Sequence, residues 1–185
     1  MVKGWFVETI DEQRAIEEME ATSDRAAAIV IAALVEDRLT SALQASMANI
    51  PSVKNDFFRS SGPLGSFASK IDLAVLIGLL SEDAQNDLHT MRRIRNVFAH
   101  TLKPTEFHTD DKIRELSKKF ILIGKMMCDM ESENEPRGFN FSIKIADYDF
   151  LMSQPRGRYM LAGRLFVAGI DGRARARSFT PDPWL

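Results

Sequence analysis

Residues 23–47, SDRAAAIVIAALVEDRLTSALQASM, run for 25 positions without a glycine or a proline. Across residues 9–48 Ala, Leu and Glu dominate, and these residues lose least on entering a helix. A long helix is therefore the first element the chain must accommodate. Ser23 or Thr22 can cap it, and Asp24 suits the positive end of the helix dipole. The acidic segment TIDEQRAIEEME before it is also helical in pattern, so residues 9–48 read as a helical region that ends at Pro51.

Further helices are marked by their ends. SSGPLGS, residues 60–66, is a turn, and Ser66 can cap FASKIDLAVLI. Gly78 fits the left-handed position after that helix, with Leu79 and Leu80 folding back on it. Ser81 opens EDAQNDLHTMRRIRNVFAHT, which has acids first and bases last, and Pro104 closes it. Thr109-Asp110-Asp111 opens KIRELSKKFILIGKMMCDM as a single further helix. ESENEPRGFN reads as a linker, and FSIKIADYDF as a short strand or an extended wrap. SQPRGRYMLAGRLFVAGI returns to a helical pattern, with Ser153 as cap and Pro155 in the first turn. Strand signals are too few for a sheet. The expected class is all-α, a compact helical bundle of about five to six helices. The expected organisation is one helical domain over 1–170, with a linker or extended segment near 131–152 and a loosely ordered basic tail over 171–185.

Composition narrows the function classes. A chain of 185 residues with 45% hydrophobic residues suits one domain with a substantial core. The formal net charge of −2 weighs against a dedicated nucleic-acid binder. The single cysteine, Cys128, excludes an internal disulfide framework and cannot alone hold zinc. It reads as a core residue, and the neighbouring methionines 126, 127 and 130 as packing. His89, His100 and His108 have no metal-ligand spacing, so neither a metal nor a cofactor is expected. The apolar runs AAAIVIAALV and LAVLIGLL are about half the length needed to span a bilayer. The N-terminal apolar run is too short for a signal peptide. These features predict a cytoplasmic protein that does not enter membranes.

Two charges stand out against apolar surroundings. At 100° per residue, Ile29, Ala33, Glu36, Thr40 and Leu43 share a stripe that is apolar apart from Glu36. On the helix after Ser81, His89, Arg92, Arg93, Asn96 and His100 share a polar stripe. Arg95 lies at the margin of the opposite, apolar side, beside Leu88, Ala99 and Leu102. A guanidinium can grip a carboxylate with two hydrogen bonds, so a Glu36–Arg95 ion pair between core helices explains both residues.

The segments SDRAAAIVIAALVEDRL, GPLGSFASKIDLAVLIGLLSEDAQNDLHTMRRIRNVFAH and SQPRGRYMLAGRLFVAGI together resemble the mannitol operon repressor (MltR-like) family. The resemblance covers roughly residues 20–108, and more loosely 153–170. It implies an all-helical fold and a bacterial role in transcription regulation. It also implies action through a protein partner or homodimer, with direct nucleic-acid binding possible but weak.

RNVFAH also looks like the R-x4-H motif of the HEPN superfamily, which includes metal-independent ribonucleases. That resemblance implies Arg95 as phosphate holder, Asn96 as the polar residue after it and His100 as acid/base, within a toxin or defence system. RNA cleavage needs a base for the 2′-hydroxyl and a cation for the phosphate, and these residue types supply both. The two side chains are nevertheless about 140° apart around an ideal helix. His100 is equally explained by the favourable dipole at a helix C-terminus. Arg92, Arg93 and Lys103 could contact nucleic acid beside this site, or be solvated helix-end charges. Arg173, Arg175 and Arg177 could likewise form a phosphate-contacting arm. Gly62 to Ser66 lacks the Lys-Ser/Thr of a phosphate-binding loop and reads as a turn.

Overall fold

The computed structural model describes residues 23–125 and 150–176, together with the helical Arg14; side chains are described as far as Ile170. The expected linker and the Cys128 region, the strand or wrap before Phe150, the acidic segment before Ser23 and the tail arginines' side chains lie outside the described residues.

Six helices make up the described fold: α1 (Asp24–Ala45), α2 (Pro51–Phe58), α3 (Phe67–Leu76), α4 (Glu82–His100), α5 (Asp111–Ser117) and α6 (Pro155–Ala176). No strand occurs among the described residues, and the class is all-α. Helical turns at 122–125 and 150–153 adjoin the undescribed segment.

Helix α1 is the central element. It packs most extensively on α6, then on α4 and α3, while α4 also meets α3 and α5, and α5 meets α6. Ala27, Ala28, Ile31, Ala32, Val35, Leu39, Ala42 and Leu43 are its buried apolar residues, and Arg38 is buried with them. The alanines allow close approach to α6, whose Tyr159 donates its hydroxyl hydrogen to the Ala28 carbonyl at 2.8 Å. Complete burial pushes the Tyr159 phenol well above its ordinary value. Around it, Phe107 and Phe120 lie with ring centroids 5.3 and 6.3 Å away, and Phe98 lies 4.9 Å from Phe107. These rings join α4, α6 and the segments flanking α5.

Local signals place most helix ends. The hydroxyls of Ser23, Ser66 and Ser81 accept the N–H groups of Ala26, Ser69 and Ala84, and the Asp110 carboxylate accepts that of Ile113. Such a cap is worth about 1 kcal/mol. Gly78 takes φ 71°. It donates to Val75 while Leu79 donates to Ala74, so the two bonds close α3 in a Schellman motif.

Several expectations fail for identifiable reasons. Pro51 is the first residue of α2, not only a stop, because a missing N–H costs nothing at that position. The helix expected to run on from Asp111 stops at Ser117, since the Ile121 and Leu122 N–H groups bond to a side chain from α4. The stripe assigned to the buried side of α1 is rotated: Ile29 and Ala33 are exposed, and the core face runs through Ile31, Val35 and Leu39. Ser153 donates its hydroxyl to the Phe150 carbonyl, within the preceding turn. Helix α6 itself runs from Pro155 to Ala176.

Helix α2 differs from the others in burying none of its residues. Its Ile50 neighbour, Val53 and Phe57 remain about half exposed, and Leu76 at the end of α3 is 84% exposed.

Candidate functional site

Glu36 sits midway along α1, between buried Val35 and Leu39. Its Oε1 lies 2.9 Å from Nζ of Lys70 on α3, and its Oε2 lies 3.6 Å from Nη2 of Arg95 on α4. One carboxylate thus ties three helices. The Lys70 side chain is 10% exposed, that of Glu36 23% and that of Arg95 31%. The ammonium is therefore the closer and better-shielded partner, and Arg95 is the outer member. Ala99 and Leu102, expected beside Arg95 on an apolar margin, are exposed, so that margin opens to solvent. Lys70 escapes a search for odd charges because lysines are ordinary on helices. Its stripe, with Phe67, Ile71 and Ala74 buried around it, carries the same signal that singled out Glu36.

The polar side of α4 is knitted to α3. Asp72 Oδ1 accepts from Gln85 at 2.9 Å and stands 3.0 Å from Nε2 of His89. The Gln85 hydrogen bond first, and then that of His89, hold the Asp72 carboxyl below its ordinary range. Arg92 and Asn96 are half-buried, while Arg93, His100 and Lys103 are exposed. His100 is the last residue of α4. Among the described residues, no hydrogen bond or ion pair joins His100 to Arg95.

The end of α4 is anchored from α1. Arg25 Nη2 donates to the carbonyls of Thr101 at 2.6 Å and Lys103 at 3.0 Å. Carbonyls at a helix C-terminus lack helical partners, so this guanidinium fixes the chain beyond His100. Asp24 does the same for the next segment. Its Oδ2 accepts the Phe107 N–H at 2.7 Å, and its Oδ1 accepts from Arg156 of α6 at 3.0 Å. Arg25, Asp24, Phe107 and Arg156 line a cleft of about 850 Å³ between the starts of α1 and α6.

Asp87 was not legible as a site. It is fully buried on α4, and its carboxylate accepts the Ile121 N–H at 2.8 Å and the Leu122 N–H at 2.9 Å. Burial raises its carboxyl above the ordinary value, against the pull of those two N–H groups. Its signal is faint: an acid in line with Ala84, Leu88 and Met91 on the core side of α4.

Among the described residues there is no group of three or more His, Cys, Asp or Glu able to hold a metal ion. No described helix is long and apolar enough to cross a membrane.

No family model matches the chain, and no curated protein matches it. The HEPN resemblance therefore has no support from a matching family. A solved structure is similar: the X-ray structure of the MtlR–HPr complex from Escherichia coli, with a TM-score of 0.60 and 15% sequence identity. The match covers 88% of this chain and 99% of that one. At that identity the likeness is one of fold, and the chain has an MtlR-like helical fold.

Proposed function

We propose that this chain is a bacterial regulatory protein that acts by docking to another protein. The observation behind the reading is the fold likeness across 88% of the chain to a structure solved as a complex with HPr. The net charge of −2, with His89 paired to Asp72 and Arg95 to Glu36, supports a protein partner over a nucleic acid. Regulation of transcription then works through that partner, in the cytoplasm. HPr is the first partner to test. Calorimetric titration with purified Escherichia coli HPr should give saturable binding, with Kd about 10 µM or tighter. An absence of heat and of any co-migration on size exclusion would remove HPr as the partner.

The ribonuclease is the second reading, favoured by the order Arg95, Asn96, His100 on one helix. It ranks lower because Arg95 already faces the Glu36 carboxylate, while His100 stands exposed at the helix end. Purified protein should leave structured and single-stranded RNA intact without metal. Cleavage abolished by both His100→Ala and Arg95→Lys, with the fold preserved, would reverse the ranking.

A further inference from the structure

We propose that the second half of α4's polar side, together with Leu102 just beyond it, is the surface on which the partner protein docks, and that the partner meets it with an apolar pocket rimmed by carboxylates. The inference rests on the docking reading above and names its surface. The two halves of that side differ. In the first half, Gln85 and His89 are engaged by Asp72. In the second half, among the described residues, the side chains of Arg92, Arg93, Asn96, His100 and Lys103 make no hydrogen bond or ion pair. Arg92 is the sharpest case: it is half-buried, and its Nε is shielded from water without an acceptor. A guanidinium N–H that loses water and gains no acceptor carries an unmet cost. Asp72 feels the charge of Arg92, but no ion pair joins them. Glu36 is already engaged by Lys70 and Arg95. Arg92, Arg93 and Lys103 thus stand unneutralised on a chain whose net charge is −2.

A cationic stripe alone suits any polyanion, and Leu102 decides between them. Its side chain is 100% exposed. Its backbone is held on both sides. Arg25 Nη2 donates to the Thr101 carbonyl at 2.6 Å and to the Lys103 carbonyl at 3.0 Å, and the Thr105 hydroxyl donates to the Lys103 carbonyl at 3.1 Å. An apolar side chain is therefore held out in water at a fixed place, an arrangement that loses little backbone freedom on docking. Two peptide units separate it from His100, so their Cα atoms lie within about 7 Å of each other, and Lys103 is adjacent. A phosphate backbone has no use for an apolar anchor. A protein buries such an anchor in a pocket and sets polar groups around the rim. Charge complementarity fixes that rim, because three unneutralised cations call for carboxylates.

The test is calorimetric titration of purified Escherichia coli HPr into wild type, Leu102→Ser, Arg93→Glu/Lys103→Glu and Lys112→Glu/Lys119→Glu. The last makes the same charge change on and beside α5. All these positions are exposed, so helical circular dichroism should not change. The first two variants should weaken binding roughly tenfold or more, and the third should not. Wild-type affinity should fall as sodium chloride rises from about 50 to about 500 mM. Equal binding by all four proteins overturns this surface and leaves the docking reading standing. Failure of HPr to bind wild type removes HPr and moves the test to a photo-crosslinking amino acid at position 102 of the chain expressed in Escherichia coli. The proposal then requires that the protein in the adduct, identified by mass and purified, binds wild type and not Arg93→Glu/Lys103→Glu. No adduct, or binding indifferent to the charge reversal, overturns it. Binding of a single-stranded RNA of about 20 nucleotides at about 150 mM salt, lost in Arg93→Glu/Lys103→Glu and kept in Leu102→Ser, also overturns it by giving the stripe to nucleic acid.

Discussion

Asp87 and Glu36 are both carboxylates set among packed helices, and they are held by different groups. Asp87 is fully buried and answered by backbone: its oxygens take the N–H groups of Ile121 and Leu122. Glu36 keeps about a quarter of its side chain in solvent and is answered by two mobile cations, Lys70 and Arg95. Backbone donors cannot swing away to water when their acceptor is lost, whereas cationic side chains can. The difference teaches that burial alone does not rank the two acids. What is left behind when each is removed ranks them.

The comparison is broken most directly by truncation. Asp87→Ala should cost about 2–4 kcal/mol in urea unfolding, because two N–H groups lose their acceptor inside the protein. Glu36→Ala should cost less, roughly 1–3 kcal/mol, because Arg95 is about a third exposed and the cations can reach solvent. Equal losses at the two positions would show that Lys70 and Arg95 cannot relax outward.

Within the Glu36 cluster, double-mutant cycles sharpen the ranking of the cations. The Glu36–Lys70 coupling should be about 1–2 kcal/mol and the Glu36–Arg95 coupling below about 1 kcal/mol. The reverse order would make Arg95 the principal partner, as the sequence had suggested.

Acid titration separates Asp87 from the paired acids. Burial raises its folded pKa above the ordinary 3.8. Between those two values the folded protein keeps a proton that the unfolded chain has lost. Stability from this group is therefore present below 3.8 and declines as pH rises through the interval. Asp87→Asn has no such proton, so wild type should lose ground to it as pH climbs from the ordinary carboxylate value. A flat difference across that range would mean the two N–H bonds cancel the effect of burial. Asp72 has the opposite sign: its lowered pKa gives stability present above 3.8 and lost as pH falls through the folded value. Asp72 is half exposed, so Asp72→Asn should cost less than about 0.5 kcal/mol at neutral pH. A larger loss would show that Gln85 and His89 lock α3 to α4 more firmly than an exposed contact does.

The contrast between the acids also marks how far the site was legible. Glu36 and Arg95 were singled out because each departs from its own helix pattern, and the structure brings them within 3.6 Å. Lys70 and Asp87 carry comparable local patterns but bond to partners 34 residues away. Helical spacing shows that such a residue faces inward and says nothing about what it meets there.

By itself the sequence determined the all-α class and the ends of helices closed by their own residues. Ser23, Ser66, Ser81 and Asp110 each act on an N–H three positions away, and Gly78 closes α3 through its own backbone. Only the tertiary structure decided where the 111–125 segment breaks and how the chain beyond His100 is anchored. It also decided which face of α1 is buried and what holds Glu36. In each case the energy comes from a group far along the chain: Asp87 for the break, Arg25 for the anchor, α6 for the buried face and Lys70 for the acid. A pattern within one helix records its own turn of backbone, and it cannot record a neighbour that only folding brings alongside.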